Sequence, residues 1–310
     1  MVKILHKTIK EKELKEIDGF RIGSWINVES PEEKELDDLA KNLSLEKGLL
    51  MDAVDPYEVP RLEIDNGVIY IFTRVPDKEN DRVITEPLMI AIGKDFVITT
   101  SSKPLTFLKK FLNNEINFTT TQKTKLVLQF FSEIIAVYNN FLTSISKNVR
   151  STSVQMEKIG NKDIVQFVNF EGVINDFLAA LVPTNTILNN LLNSTASRRL
   201  LELYEEDKDL IEDLFLSNNQ LIELCKANLK TIVNIREAYS TIMTNNLNRV
   251  IKFFTALTII LTVPMIVSSF YGMNINLPFA EHPMAFWGIL ITTLVVSFTL
   301  LAIFFRKRWL

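Results

Sequence analysis

The sequence predicts an α+β domain, then long stalk helices, then two C-terminal transmembrane helices. Three observations carry this. Two turn signals with strand-forming flanks stand within the first hundred residues. From about residue 120 strand signals vanish and apolar residues recur at helical spacing. Residues 253–305 hold no Lys or Arg, and their one acidic side chain, Glu281, lies among Asn276, Pro278, His282 and Pro283. The chain divides accordingly into an α/β domain at 1–118, a helical stalk at 119–250 and a two-span membrane segment at 251–310, with a short loop at 271–284 and a basic tail.

Composition narrows the function. The chain has 310 residues, 47% of them hydrophobic, and a net charge of −3, so there is no basic excess to suggest nucleic acid. Cys225 is the one cysteine, which excludes an intrachain disulfide and suits a reducing compartment. Residues 1–14 mix Lys and Glu without an apolar stretch, and no signal peptide is expected there.

Taken in order, residues 20–28, with Trp25, read as a strand. Ser30-Pro31-Glu32-Glu33 offers a cap residue, a Pro in the first turn and a Glu three positions after the cap, a capping box opening a helix to about residue 41. Ser44 opens a second short helix that stops before Pro56. Residues 61–64 and 68–75 flank Asp65-Asn66-Gly67, and 88–92 and 96–100 flank Gly93-Lys94-Asp95; both read as hairpins. A helix follows over 104–112. Beyond it come a helix over 123–159, a break at Gly160-Asn161, a helix over 163–192 and a polar joint at 193–197. The last helix starts near Leu203 and meets no Gly or Pro until Pro264. At 1.5 Å per residue, 203–270 would extend about 100 Å, and Pro264 removes one helical hydrogen bond and can bend it.

The apolar spans, near 251–270 and 285–305, each have about the 20 residues a helix needs to cross the hydrocarbon core. Buried helices of a soluble core are the alternative, which the abrupt stop and restart of charge disfavours. Inside the first span Asn248, Thr255, Thr262 and Ser269 recur every seven residues, with Thr258 and Met265 on nearly the same face. Hydroxyls and amides lose their water partners in lipid, so this stripe suits either helix packing or the wall of a water-filled path. The second span has Thr292, Thr293, Ser297 and Thr299 without such a run and reads as lipid-facing. Arg249 and Lys252 precede the first span, Arg306, Lys307 and Arg308 follow the second, and the loop has no cation, so both termini are expected in the cytoplasm. Two spans cannot enclose a path, so a path requires an oligomer.

The first span ends in Tyr271-Gly272-Met273-Asn274. That tetrapeptide, its place near the C-terminus, the short loop, the basic tail and the acidic soluble portion together resemble the CorA family of divalent-cation channels, whose Gly-Met-Asn signature falls at Gly272, Met273 and Asn274. The resemblance covers essentially the whole chain. It implies a funnel-shaped homopentamer in the plasma membrane that passes Mg2+, with Co2+ and Ni2+, down their gradients and is gated by cytoplasmic Mg2+ at subunit interfaces. Its partners would be its own copies, membrane lipid and hydrated divalent cations, with no organic cofactor and no enzymatic step. Gly272, Met273 and Asn274 would form the filter. Asn248, Thr255, Thr258, Thr262, Met265 and Ser269 would line the pore, and Phe254, about one residue off the stripe, would stand near an apolar constriction. Counting from the strand at 69–72 and back from the signature puts the sensing carboxylates at Asp77 and Asp213. Glu281 takes the place of an acidic loop residue common in relatives, although Pro278-Phe279-Ala280-Glu281 departs from their usual Met-Pro-Glu-Leu.

The chemistry suits that resemblance. Mg2+ dehydrates reluctantly, so a ring of amide and carbonyl oxygens can grip it through its waters without the deep well of a carboxylate ring. Locally, a glycine helix cap with Asn as turn former would explain the same residues. Glu202, Glu205, Glu206, Asp207, Asp209, Glu212 and Asp213 crowd the start of the last helix. Such like charges cost a few tenths of a kcal/mol per pair, which a divalent ion or a basic neighbour would remove; a solvated acidic face fits equally. Three rivals stand beside the channel: a zinc-transporting relative, in which the residue at Met273 typically differs; a membrane-tethered coiled-coil scaffold, which leaves the stripe and the signature unexplained; and an enzyme. His6 and His282 lie far apart in the chain, no G-x-x-x-x-G-K-[ST] run exists and Cys225 has no His nearby in sequence, so an enzyme is the weakest of the three.

Overall fold

The computed structural model describes residues 1–80, 82–153, 159–275 and 282–309. The strands are β1 (Val2–His6), β2 (Lys15–Glu16), β3 (Ser24–Glu29), β4 (Arg61–Asp65), β5 (Val68–Glu79), β6 (Arg82–Ile92) and β7 (Phe96–Ser101). They form one sheet in the order β2-β1-β3-β7-β6-β5-β4. Every pairing is antiparallel except β3 with β7, which runs parallel from Ser24 opposite Phe96 to Glu29 opposite Ser101. Both expected hairpins form. Asn66 and Gly67 take φ of 47° and 78°, the paired left-handed conformation of a two-residue hairpin turn, which Asn and Gly tolerate best.

Alternation along the strands sends side chains to two buried faces. Ile26, Val28, Tyr70, Phe72, Met89 and Ile98 join Leu36 and Leu50 from α1 (Glu33–Leu43) and α2 (Lys47–Asp52) in one core. On the other face, Trp25 packs at 5.3 Å from Phe130 of α4 (Lys123–Ser153), which in turn stands 4.8 Å from Phe111 of α3 (Thr106–Leu112). The indole N–H donates to Thr99 Oγ1 at 2.9 Å, and that hydroxyl donates to Asn27 Oδ1 at 2.8 Å, so these three side chains satisfy one another. Helices on both faces explain why the central strands are nearly continuous apolar runs rather than alternating ones.

Four local expectations need correction. The first strand of the reading begins at Ser24, not residue 20, because Gly23 turns the chain with φ 79°. Ser30 does not cap α1: it sits at φ 45° with its hydroxyl on the Ser102 carbonyl, and the box is two residues later, Glu35 accepting the Glu32 N–H at 3.0 Å. Ser44 closes α1 in the left-handed conformation instead of opening α2, whose cap position is Glu46. The polar joint at 193–197 contains the start of a further helix, α6 (Thr195–Leu201), for which Ser194 Oγ accepts the Ser197 N–H. β1 and β2, in the Lys- and Glu-rich beginning of the chain, went unread because only Leu5 of β1 is fully buried there.

α5 (Asn161–Asn193) carries Pro183 inside it and lies against β5 and β6. Then come α7 (Glu205–Tyr271), 67 residues long with Pro264 inside it, and α8 (Ala285–Arg306). Contacts group the chain into two compact units, Met1–Val233 and Asn234–Leu310, a coarser division than the three segments read from the sequence.

Candidate ion path and sensor residues

Four helices, α4, α5, α7 and α8, are long and apolar enough to cross a membrane by length and composition. They differ in what covers them. The apolar window of α4 is 50% buried within the chain, whereas those of α7 and α8 are 6% and 11% buried. A sheet and its helices cover the first; among the described residues little covers the last two. Large apolar side chains of this kind need lipid or further protein around them.

The stripe lies on that uncovered part of α7. Asn248, Thr255, Thr258, Met265 and Ser269 are exposed and Thr262 is half-buried. Phe254 is exposed and stacks edge-on against Phe253 at 5.5 Å. Thr258 Oγ1 donates to the Phe254 carbonyl at 2.8 Å, and Thr262 Oγ1 donates to the Thr258 carbonyl at 2.7 Å. Each hydroxyl thereby spends its one proton on its own helix and leaves only oxygen lone pairs outward. The waters around a hydrated cation present protons outward, so the outward lone pairs of Thr258 and Thr262 suit them. The threonines of α8 are also turned inward: Thr292, Thr293 and Thr299 donate to carbonyls four residues back.

At the end of α7, Gly272 N–H donates to the Ser268 carbonyl at 3.0 Å and Met273 N–H to the Phe270 carbonyl at 3.2 Å. A Cβ on Gly272 would come within 3.2 Å of the Ser268 oxygen, so glycine is favoured here by close approach and not by a positive φ. Met273 and Asn274 follow, both exposed. Glu281 lies outside the described residues.

Asp77 and Asp213 belong to the other unit. Asp77, on β5 and half-buried, accepts from Thr106 Oγ1 at 3.0 Å and more weakly from the Thr106 N–H at 3.4 Å, at the first turn of α3. Sequence reading missed Thr106 because it stands 29 positions away; the signal available was an acid near the opening of a helix, where carboxylates are favoured. Asp213 is exposed on α7. No side-chain hydrogen bond joins the two within the chain, and among the described residues no group of three His, Cys, Asp or Glu is placed to hold a metal ion. Two carboxylates are nevertheless enough for Mg2+, which keeps several of its waters. Much of the surrounding acidic crowding has local work. Asp207 accepts the Tyr204 N–H at 3.1 Å, and Glu205 pairs with Lys208 at 2.5 Å, which holds the Glu205 carboxyl below its ordinary range.

A family model described as CorA-like Mg2+ transporter protein matches residues 22–308. The cobalt/magnesium transport protein CorA of Methanocaldococcus jannaschii is 24% identical over 317 aligned positions, covering 98% of this chain and 96% of that protein. The complete structure of the CorA magnesium transporter from the same organism superposes with a TM-score of 0.86 at 22% identity, covering 100% of this chain and 99% of the other. A ZntB cytoplasmic domain from Vibrio parahaemolyticus superposes with a TM-score of 0.65 at 9% identity over 78% of this chain and 98% of its own, a likeness of fold.

Proposed function

Because the chain belongs to the family of CorA-like Mg2+ transporter proteins, we propose that it is itself a channel through which hydrated Mg2+, and with it Co2+ and Ni2+, crosses the plasma membrane passively. The path is formed between copies of the chain, five in the family's arrangement, each contributing the α7 stripe. The observation that carries this reading is the polar stripe of α7, largely exposed in the single chain, in which Thr258 and Thr262 turn their protons inward, ending at Gly272–Asn274. Asn274 amides and Gly272 carbonyls form the outer filter and hold the ion through its waters; Met273 lies between them. Below them Ser269, Met265, Thr262, Thr258, Thr255 and Asn248 continue the path, and Phe254 supplies its apolar constriction. Both termini are cytoplasmic, and Glu281 stands at the outer loop. An inside-negative potential drives entry with about 2.3 kcal/mol per elementary charge per 100 mV, doubled for a divalent ion.

Asp77 and Asp213 are the regulatory pair. A Mg2+ held by them at a subunit contact would supply positive charge that offsets two carboxylates and ties neighbours together. Thr106 fixes the Asp77 carboxylate for that position. The zinc reading rests on fold likeness alone at 9% identity and receives no support from Met273.

The experiment that tests the path is Mg2+ entry into dye-loaded proteoliposomes. Asn274→Ala, at equal incorporation, is expected to cut entry at least tenfold. Entry unchanged by the substitution would remove the filter from this position, and absence of entry at every internal Mg2+ concentration would favour a scaffold.

A further inference from the structure

We propose that the end of α8 is a binding site for anionic phospholipid headgroups, formed by Arg306, Lys307 and Arg308 and held in shape by Trp309 stacked on Phe304. Lys307 N–H donates to the Ile303 carbonyl at 3.0 Å, Arg308 N–H to Phe305 at 3.1 Å and Trp309 N–H to Phe304 at 3.0 Å. Arg308 takes φ 57°, a conformation that helix ends normally assign to glycine. The motif is completed by its hydrophobic contact, the Trp309 and Phe304 rings 5.4 Å apart and 22° from parallel. A bulky cationic residue thus stands where glycine would make the turn more easily, and an aromatic clasp keeps the turn closed.

Charge identifies the partner. All three cations are exposed, and none has an acidic partner among the described residues. A helix C-terminus attracts cations, but its macrodipole amounts to roughly half an elementary charge. Three full charges exceed that several times over, so capping accounts for only a fraction of them. The cluster directly follows a helix long and apolar enough to cross a membrane and little covered within the chain, and it is followed by a tryptophan, the side chain that settles at the headgroup level of a bilayer. Basic clusters at that depth attract anionic lipid. This inference rests on α8 spanning a membrane, as proposed above.

Trp309 is its own reporter. The full-length chain and its Trp309→Phe variant are reconstituted in phosphatidylcholine vesicles containing equal mole fractions of either brominated phosphatidylglycerol or brominated phosphatidylcholine, and the emission lost between them gives the Trp309 component. The brominated anionic lipid is expected to quench that component about threefold more than the zwitterionic one. The preference should shrink in high salt, persist when inorganic phosphate replaces chloride at equal ionic strength, and vanish in the R306Q/K307Q/R308Q variant. Equal quenching by the two lipids overturns the site while leaving α8 in the membrane. Quenching by neither overturns the site together with the membrane placement of α8. A preference that survives the triple substitution overturns its assignment to these three cations, and the wild-type comparison decides the matter even where that variant inserts poorly.

Discussion

At the scale of single residues, environment and not residue type decides which side chains are open to chemistry. Cys225 is fully buried on α7, and burial pushes its thiol up to about 12. It therefore stays protonated and shielded across the neutral range. Maleimide at pH 7.5 should leave the folded chain unlabelled and should modify Cys225 stoichiometrically once denaturant is added; fast labelling of the native chain would show that α7 opens locally. How much of the candidate site could be read in advance follows the same logic. Gly272, Met273 and Asn274 were legible because their pattern is contiguous, and the α7 stripe because its period is that of the helix. Which constraint Gly272 answers to was not legible, since close approach to the Ser268 oxygen depends on how the last turn closes. Nor was the hold of Thr106 on Asp77, because a strand and a distant helix start meet only after the sheet is built.

At the scale of elements, α5 and α7 meet through amides. Asn218, fully buried, donates to the Leu181 carbonyl at 2.8 Å and to Asn185 Oδ1 at 3.0 Å, and Asn185 donates in turn to Asn219 at 2.5 Å. Paired amides of this kind set the register of two helices more strictly than interchangeable aliphatic contacts do. Asn218→Ala would take the second donor from the Leu181 carbonyl, which keeps its helical one, and leave the half-buried Asn185 Oδ1 without a donor, at a cost of about 1 kcal/mol. The expected outcome is faster amide hydrogen exchange in both α5 and α7, with the β5–β6 ladder unchanged. Loss of protection confined to α7 would mean that the amides do not couple the two helices. The elements themselves were largely legible. The hairpins announce themselves through Asp65-Asn66-Gly67 and Gly93-Lys94-Asp95, and the long helices through unbroken period. Both caps were misplaced by two residues because Ser30 and Ser44, which suit helix starts, stand here in left-handed turn positions. α6 hid because its seven residues are too few to display a period.

At the scale of the whole molecule, the regulation proposed for Asp77 and Asp213 would be read out between copies. Asp77→Ala combined with Asp213→Ala should abolish the inhibition of Mg2+ entry by internal Mg2+ while leaving entry at low internal Mg2+ intact, measured in the same vesicles. Inhibition that persists at the parent concentration would take both residues out of the sensor. An allosteric effect of this kind requires that the ion bind one arrangement of the subunits more tightly than the other, and the shift can be no larger than that difference. The sheet adds a constraint of another kind, on the order of events during synthesis. β3 pairs with β7, residues some 72 positions further along the chain, while β4 to β7 can zip up through successive neighbours. At 5–20 residues per second, β3 waits roughly 4–14 s for its partner to be made. For that interval Trp25, Ile26 and Val28 have only the small β2-β1-β3 piece beside them, and the first strands of the chain are the last to find their place, docking onto a meander that has already formed.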